Sequence, residues 1–538
     1  MNKPLVLSLS LIALLSSNLN AQSMLERFEA MEREMDSLKQ QIAELKKQKY
    51  ISEKSEKTDD DEILIISTTD SEEEDEEEND DDEDIATDEE RISDLEETVS
   101  EIARNTSGSH LKFKVDYRFA VENINYKMAA KDASGKDSHT NDAFMTNRLW
   151  IGMGYQATNN LSFSAQLAYN KAFGARSGAS NPMTNQFEAF DWIASENAFD
   201  DQLRVRSAYF FYKDTELFGL DIPWTFSVGR RPSTGGHLIS LRDDDNPSSP
   251  MGHAINVEFD GLSSKFTLYK DWGTYVKFCA GRGMSNATPK FTSTPYAQDS
   301  MDNTNIDLAG FIFTPYDDKQ YSISTQYYYA SNLIDMRDTT LTNQMLGLET
   351  VGGMHSFTSN LSIHGIGDEW SDFLDDTTFF ISGAMSKTDP DKNHGMLGSA
   401  NGESKTGYSY WIGTQFPSLL SEDGRWGFEF NHGSQYWRSI TYGEDTSIGS
   451  KVATRGNVYE AYFTEYLIED ILSMQIRYTY ADYDYTGSNG FFGNTSGASY
   501  SIDQLKKAAA AGNTQAQSML PNIVENAQDI RFYLRYRY

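Results

Sequence analysis

The chain has 538 residues and a formal net charge of −35, with 81 acidic against 46 basic side chains. That balance excludes nucleic acid as a partner, because such binding rests on Lys and Arg neutralising phosphates. The single cysteine, Cys279, excludes an internal disulfide and reads as a small space-filling residue. Past residue 21 no apolar run approaches the ~20 residues of a membrane helix.

Taken in chain order, residues 1–21 predict a signal peptide. Lys3 gives the positive start, Leu5 to Leu15 the apolar stretch, and Leu19-Asn20-Ala21 the cleavage site. Residues 24–49 follow as a coiled coil. Phe28, Met31, Met35, Leu38, Ile42 and Leu45 recur at alternating three- and four-residue steps, the seam of a left-handed supercoil. The alternative is an amphipathic helix lying on another surface. A helix this short is marginal alone, so the reading expects partner copies.

Residues 50–90 are an acidic linker, with Glu72 to Glu78 and Asp80 to Asp84 as near-continuous acid. Like charges repel and almost nothing apolar can be buried, so this stretch is expected to be disordered and extended. The spacing lacks the Gly and closing Glu of a calcium loop, and no metal or cofactor is expected. Residues 50–105 carry roughly −22 of the charge, and the remainder from Thr106 roughly −14. Residues 91–105 hold a second, shorter seam at Ile92, Leu95, Val99 and Ile102. It predicts a coiled coil joining copies of the following domain, 108–538.

From Leu111 the period changes to two, the period of a strand. Leu111, Phe113, Val115, Tyr117 and Phe119 alternate with Lys112, Lys114, Asp116 and Arg118. The pattern recurs to the end of the chain and gives about 16 strands, an even number as a closed barrel needs. This count takes Ile255, Val257 and Phe259 as one strand, Ser264 to Ala280 as a single long one, and 261–263 as the short link between them. It also takes Leu203, Val205, Tyr209 and Phe211 as sharing one outward face. Short links alternate with long ones such as 123–144, 232–252 and 438–456. The predicted fold is therefore all-β: a transmembrane antiparallel barrel with both termini on the short-link side.

The last strand, Ile530 to Tyr538, puts Phe532, Leu534, Tyr536 and Tyr538 on one face and Arg531, Arg535 and Arg537 on the other. It resembles the closing strand of bacterial outer-membrane barrels, whose terminal aromatic is read by the barrel-assembly machinery. The resemblance implies a Gram-negative outer membrane, contact with its lipid and lipopolysaccharide, and an N-terminal region in the periplasm.

Alternation places Lys112, Lys114, Arg118, Arg148, Arg204, Arg206 and Arg231 on the inner wall, facing Asp116, Glu258 and Glu429. The third long loop reads Arg242-Asp243-Asp244-Asp245. By similarity to general porins, whose third outer loop folds inward, these four residues are expected at a constriction. Opposed charges there would select solutes by size and sign. The alternative for the three aspartates is a solvated surface loop, or calcium or lipopolysaccharide bridging.

Residues 108–538 also resemble an uncharacterised outer-membrane barrel family, porin-like in kind. The resemblance lies in Asn147-Arg148-Leu149-Trp150, Phe190-Asp191-Trp192 and Val228 to Gly236. It implies fold and location, and brings no substrate. No Gly-x-Ser-x-Gly elbow, His-Glu-x-x-His, phosphate loop or Cys pair occurs, so no enzyme is expected. The expected function is a channel for passive diffusion of small hydrophilic solutes or ions, as a homotrimer. The alternative is a tether whose coiled coil and acidic linker bind cell wall or a periplasmic partner.

Overall fold

The structure is a computed structural model that describes residues 111–173, 203–231, 233–284, 305–336, 348–367, 370–441, 447–487 and 498–538. The expected signal peptide, both coiled-coil seams, the acidic linker and Phe190-Asp191-Trp192 lie outside the described residues.

The strands are β1 Leu111–Met128, β2 Ser138–Gln156, β3 Leu161–Ala172, β4 Arg204–Asp214, β5 Trp224–Arg231, β6 Ile255–Asn256, β7 Phe259–Tyr269, β8 Thr274–Met284 and β9 Ile306–Asp317. They continue as β10 Tyr321–Met336, β11 Leu348–His364, β12 Thr378–Pro390, β13 Thr406–Pro417, β14 Gly424–Gly433, β15 Ile440–Thr441, β16 Gly456–Ile468, β17 Leu472–Tyr483 and β18 Val524–Arg537. Sixteen of them close into one antiparallel barrel, while β6 and β15 pair only with each other, in parallel. Closure removes every open edge, so each backbone group finds a strand partner without water. Among the described residues no helix is long and apolar enough to cross a membrane.

The seam between β1 and β18 shows how alternation builds the wall. Tyr117 pairs with Tyr536, Phe119 with Leu534 and Val121 with Phe532. These pairs face outward. Between them Arg118 meets Arg535 and Glu122 meets Arg531, both facing inward. Arg531 reaches Glu122 at 2.7 Å, and Val115 and Tyr538 exchange backbone hydrogen bonds of 2.8 and 2.9 Å. Around the outside, Phe113, Phe278, Tyr408 and Ile530 are all at least half exposed. Tyr212, Trp224, Tyr269 and Trp272 gather near the short-link end. An apolar band with aromatic residues at its rim is the exterior of an outer-membrane barrel.

The strand count agrees with the sequence, but through two compensating differences. Ser264 to Ala280 is not one strand. It is β7 and β8, joined by a turn at 270–273 where Gly273 takes φ +59. A Cβ there would collide with the Asp317 carbonyl, so the turn needs glycine. Ile255 and Val257 are not on the wall. Both are fully buried inside the barrel with Ile312, Tyr328, Met354 and Trp437. Their alternation answers an internal core, not lipid. The expected link at 261–263 is therefore strand, within β7.

Two smaller differences have local causes. β1 and β2 run on to a tight connection at 129–137, shorter than the 365–377 link on the opposite end, so link length does not alternate strictly. Pairing of β3 with β4 skips Arg206, a β-bulge that places Arg206 and Ser207 both inside. Beyond the bulge the faces exchange, and Tyr209 points inward while Phe210 faces out.

Candidate functional site

A barrel of sixteen strands is too wide for wall side chains to fill, so the contents of its interior define the site. Among the described residues the third long loop, between β5 and β7, and the seventh, between β14 and β16, both enter it, and Met396 of the sixth, between β12 and β13, joins the same internal core. The third loop carries α1, Ile239–Asp243. A buried loop must satisfy its own backbone, and three wall glutamines do much of this. Gln326 on β10 accepts from the Met251 N–H at 2.8 Å and donates to the Met251 carbonyl at 3.0 Å. Gln415 on β13 donates to the Leu241 carbonyl at 3.2 Å, and Gln475 on β17 to the Arg242 carbonyl at 3.0 Å.

The four residues singled out in the third loop all bond to the wall or to each other. Asp244 takes a left-handed backbone, φ 52, which ends α1; aspartate tolerates that region better than most residues. Arg242 is fully buried and bonds Glu460 on β16 at 3.3 Å and Asp243 at 2.9 Å. Arg535 donates to the Asp243 carbonyl at 2.6 Å and to the Asp245 carboxylate at 2.7 Å. Arg537 donates to the Asp244 carbonyl at 2.7 Å and to its carboxylate at 2.5 Å. The aspartates are thus held by the closing strand and are not free in solvent.

Glu460 is the centre of a dry charge cluster. Lys451, from the seventh loop, donates to Glu460 at 2.6 Å and to Glu429 on β14 at 2.5 Å. Thr479 adds a bond to Glu460 at 2.8 Å, and the Trp411 indole one to Glu429 at 2.9 Å. Beside the cluster, Leu238 and Ile239 of the third loop pack on Phe380, Trp411 and Val452. His253 is fully buried between Ser382 and Ser409, with ring nitrogens 2.8 and 2.9 Å from their hydroxyls. Burial pulls its pKa down to about 3, so it is neutral at physiological pH.

The remaining expected wall residues lie on β1, β2, β4 and β5. Lys112 and Lys114 are exposed at the short-link end of β1. Arg118 lies 5.2 Å from the Tyr533 ring centre. Arg148 bonds Asp116 at 3.3 Å and stacks at 3.5 Å over Trp150. Arg204 opens β4 opposite Ala168. Arg206 also lies over Trp150, at 3.9 Å, and donates to Gln166 and Thr234, each at 2.6 Å. Arg231 lies 4.3 Å over Tyr209. Glu258 was expected on a wall strand. It lies instead in the chain returning from the third loop, fully buried, bonded by Thr234 at 2.7 Å and 3.6 Å from Arg206.

Sequence reasoning missed Glu460, Lys451, the three glutamines, and Lys265 and Lys277 on β7 and β8. Lys265 and Lys277 carried a signal, since they alternate with Phe266, Val276 and Phe278. Lys451 carried none, because loop residues have no period. Between the third loop and the wall from β4 to β11 a cavity of about 570 Å³ remains, reaching Asp317 and Lys319 at the short-link end.

The family described as "Protein of unknown function (DUF3373)" matches residues 138–538. The chain belongs to that family. In this chain the matched segment forms most of the closed β-barrel. No curated protein matches the chain. Similar solved structures include OmpT (in-vitro folded), an outer membrane protein of Vibrio cholerae, at 10% identity and TM-score 0.41, covering 80% of this chain and 97% of that one. An anion-selective porin from Comamonas acidovorans has 9% identity and TM-score 0.43, with 80% and 99% covered. Salmonella typhi OmpF in complex with daunomycin has 9% identity and TM-score 0.40, with 80% and 97% covered.

Proposed function

We propose that the protein is a passive outer-membrane channel for small hydrophilic solutes, narrowed by its third long loop. The observation that carries this reading is the cavity beside that loop, inside a closed sixteen-stranded wall with polar inward positions. An apolar exterior and a polar interior suit a water-filled path through lipid. In this reading Arg242 to Asp245 pin the loop against β16 and β18, and the inner-wall arginines and lysines set the field that passing solutes meet. The chain carries out no reaction. The N-terminal region lies in the periplasm, and three copies assemble in the membrane.

The test is single-channel conductance of the purified, folded protein in a planar bilayer, with the reversal potential under a salt gradient. Stable steps are expected. A correctly folded barrel that passes no current would overturn the reading. Replacing Asp243, Asp244 and Asp245 by Asn should raise conductance or change ion preference by freeing the loop. Unchanged values for both would remove these residues from the path.

A further inference from the structure

Most basic side chains of the interior are matched to acids. Arg206 faces Glu258, Arg531 faces Glu122, Arg535 faces Asp116, and Lys451 faces Glu429 and Glu460. The cavity beside the third loop breaks this rule. Its wall holds Arg231, Lys265, Lys277 and Lys319 against the single carboxylate of Asp317. Lys265 and Lys277 stand directly opposite each other on β7 and β8 and both point inward. Like charges in that position repel.

Lys277 donates to the Ser249 hydroxyl of the third loop at 2.5 Å. Lys265 lies 4.0 Å over the Tyr275 ring and Arg231 4.3 Å over Tyr209, so aromatic faces brace both cations, with Asp317 the one acid of the cavity wall, on the side of Lys265. His237 closes the loop side. Burial and then the neighbouring His364 hold its pKa down to about 4, so it is neutral at pH 7 and adds no charge. A low-dielectric recess lined by one sign of charge concentrates the opposite sign.

The geometry points to an oxyanion site in this cavity: Arg231, Lys265 and Lys277 hold a small multiply charged anion, with inorganic phosphate the simplest, on its way through the barrel. The cavity is larger than a bare ion needs, and a phosphate-bearing organic solute fits the same chemistry. The inference rests on the channel reading for its role in transport, and on the cavity alone for binding.

The experiment is isothermal titration of the folded full chain in detergent with inorganic phosphate, alongside phosphate block of chloride current in a bilayer. Saturable binding is expected. The K265Q/K277Q double variant should weaken it about tenfold or more per lysine removed, while K270Q, which removes an exposed lysine paired to Asp221 in the β7–β8 turn, should leave it unchanged. Folding is checked by heat-dependent gel migration. If the double variant does not fold, R231Q should weaken binding in its place. Competition by a hexose phosphate, tighter than phosphate itself, would mark an organic solute, and weaker competition a bare ion. Phosphate binding without conductance sinks the channel and keeps the site. Conductance with no saturable phosphate binding, or equal affinity in the lysine and arginine variants, overturns the site and keeps the channel.

Discussion

Two sides of the barrel interior obey the same alternation and end in different states. Along β12 to β18 the inward charges are dry and matched. Glu460 is 3% exposed and touches Arg242, Lys451 and Thr479. Along β5 to β8 the inward charges are partly exposed and unmatched, with Lys265 opposite Lys277. The wall sequences do not explain this, since both sides alternate. The loops do. The third loop leans across the interior onto β12 to β18, and the seventh loop fills the space behind it, leaving the side from β4 to β11 with a cavity. Strand periodicity decides which side chains point inward; loop packing decides whether they meet protein or water.

The largest expected effect follows from the dry side. Glu460→Gln keeps the size of the side chain and removes the charge shared by Arg242 and Lys451. A buried charge left without its partner costs about 3–5 kcal/mol; Arg242 keeps Asp243 and Lys451 keeps Glu429, so the loss falls toward the lower end of that range. The melting temperature of the folded barrel should fall accordingly, and the third loop should loosen, raising conductance. A variant that melts with the wild type would mean that this side is wetter than its burial indicates, and the contrast between the two sides would collapse.

A smaller effect follows from His253, which anchors the third loop to β12 and β13. Its folded pKa of about 3 lies below the ~6.5 of an unperturbed imidazole. For a group held neutral by burial, the stabilisation is complete above about pH 6.5. It is lost as pH falls toward 3, at up to about 1.4 kcal/mol per pH unit. Protease protection of the third loop should therefore decline between these limits in the wild type. In His253→Asn the decline should be shallower, leaving the contributions of His237, whose pKa burial also lowers, of Asp243, Asp244 and Asp245, and of the wall carboxylates. Identical pH profiles for the two proteins would remove His253 as an anchor.

How much of this was legible in the sequence depends on what kind of force sets each feature. The closing strand was read residue by residue, because Ile530, Phe532 and Leu534 must face lipid and Arg531 and Arg535 must not. The same period points Arg118, Arg148 and Arg206 inward, and all three are buried. It failed where another force produces the same pattern. Ile255 and Val257 alternate because they pack in an internal core, which a period of two cannot distinguish from a wall. The bulge at Arg206 inverts the following residues, and one inserted residue leaves no compositional mark. Arg242 to Asp245 drew notice as a charged run. Their partners, Glu460, Arg535 and Arg537, lie roughly 220–290 positions away in sequence, and only closure of the barrel brings them together.

The smallest expected effect tests the open side. Lys265→Gln with Lys277→Gln removes two inward charges, as many as any substitution on the dry side would disturb. Here no buried partner is left behind, and a direct like-charge repulsion is relieved. Relief of such a cross-strand pair is worth roughly 0.2–1 kcal/mol, so the double variant should melt at or slightly above the wild-type temperature when no phosphate is present. With phosphate the order should reverse, because only the wild type gains stability from the bound anion. Should the double variant instead lose stability on the scale expected for Glu460→Gln, the lysines would be structural members of a packed interior, and the cavity would not be a passage at all.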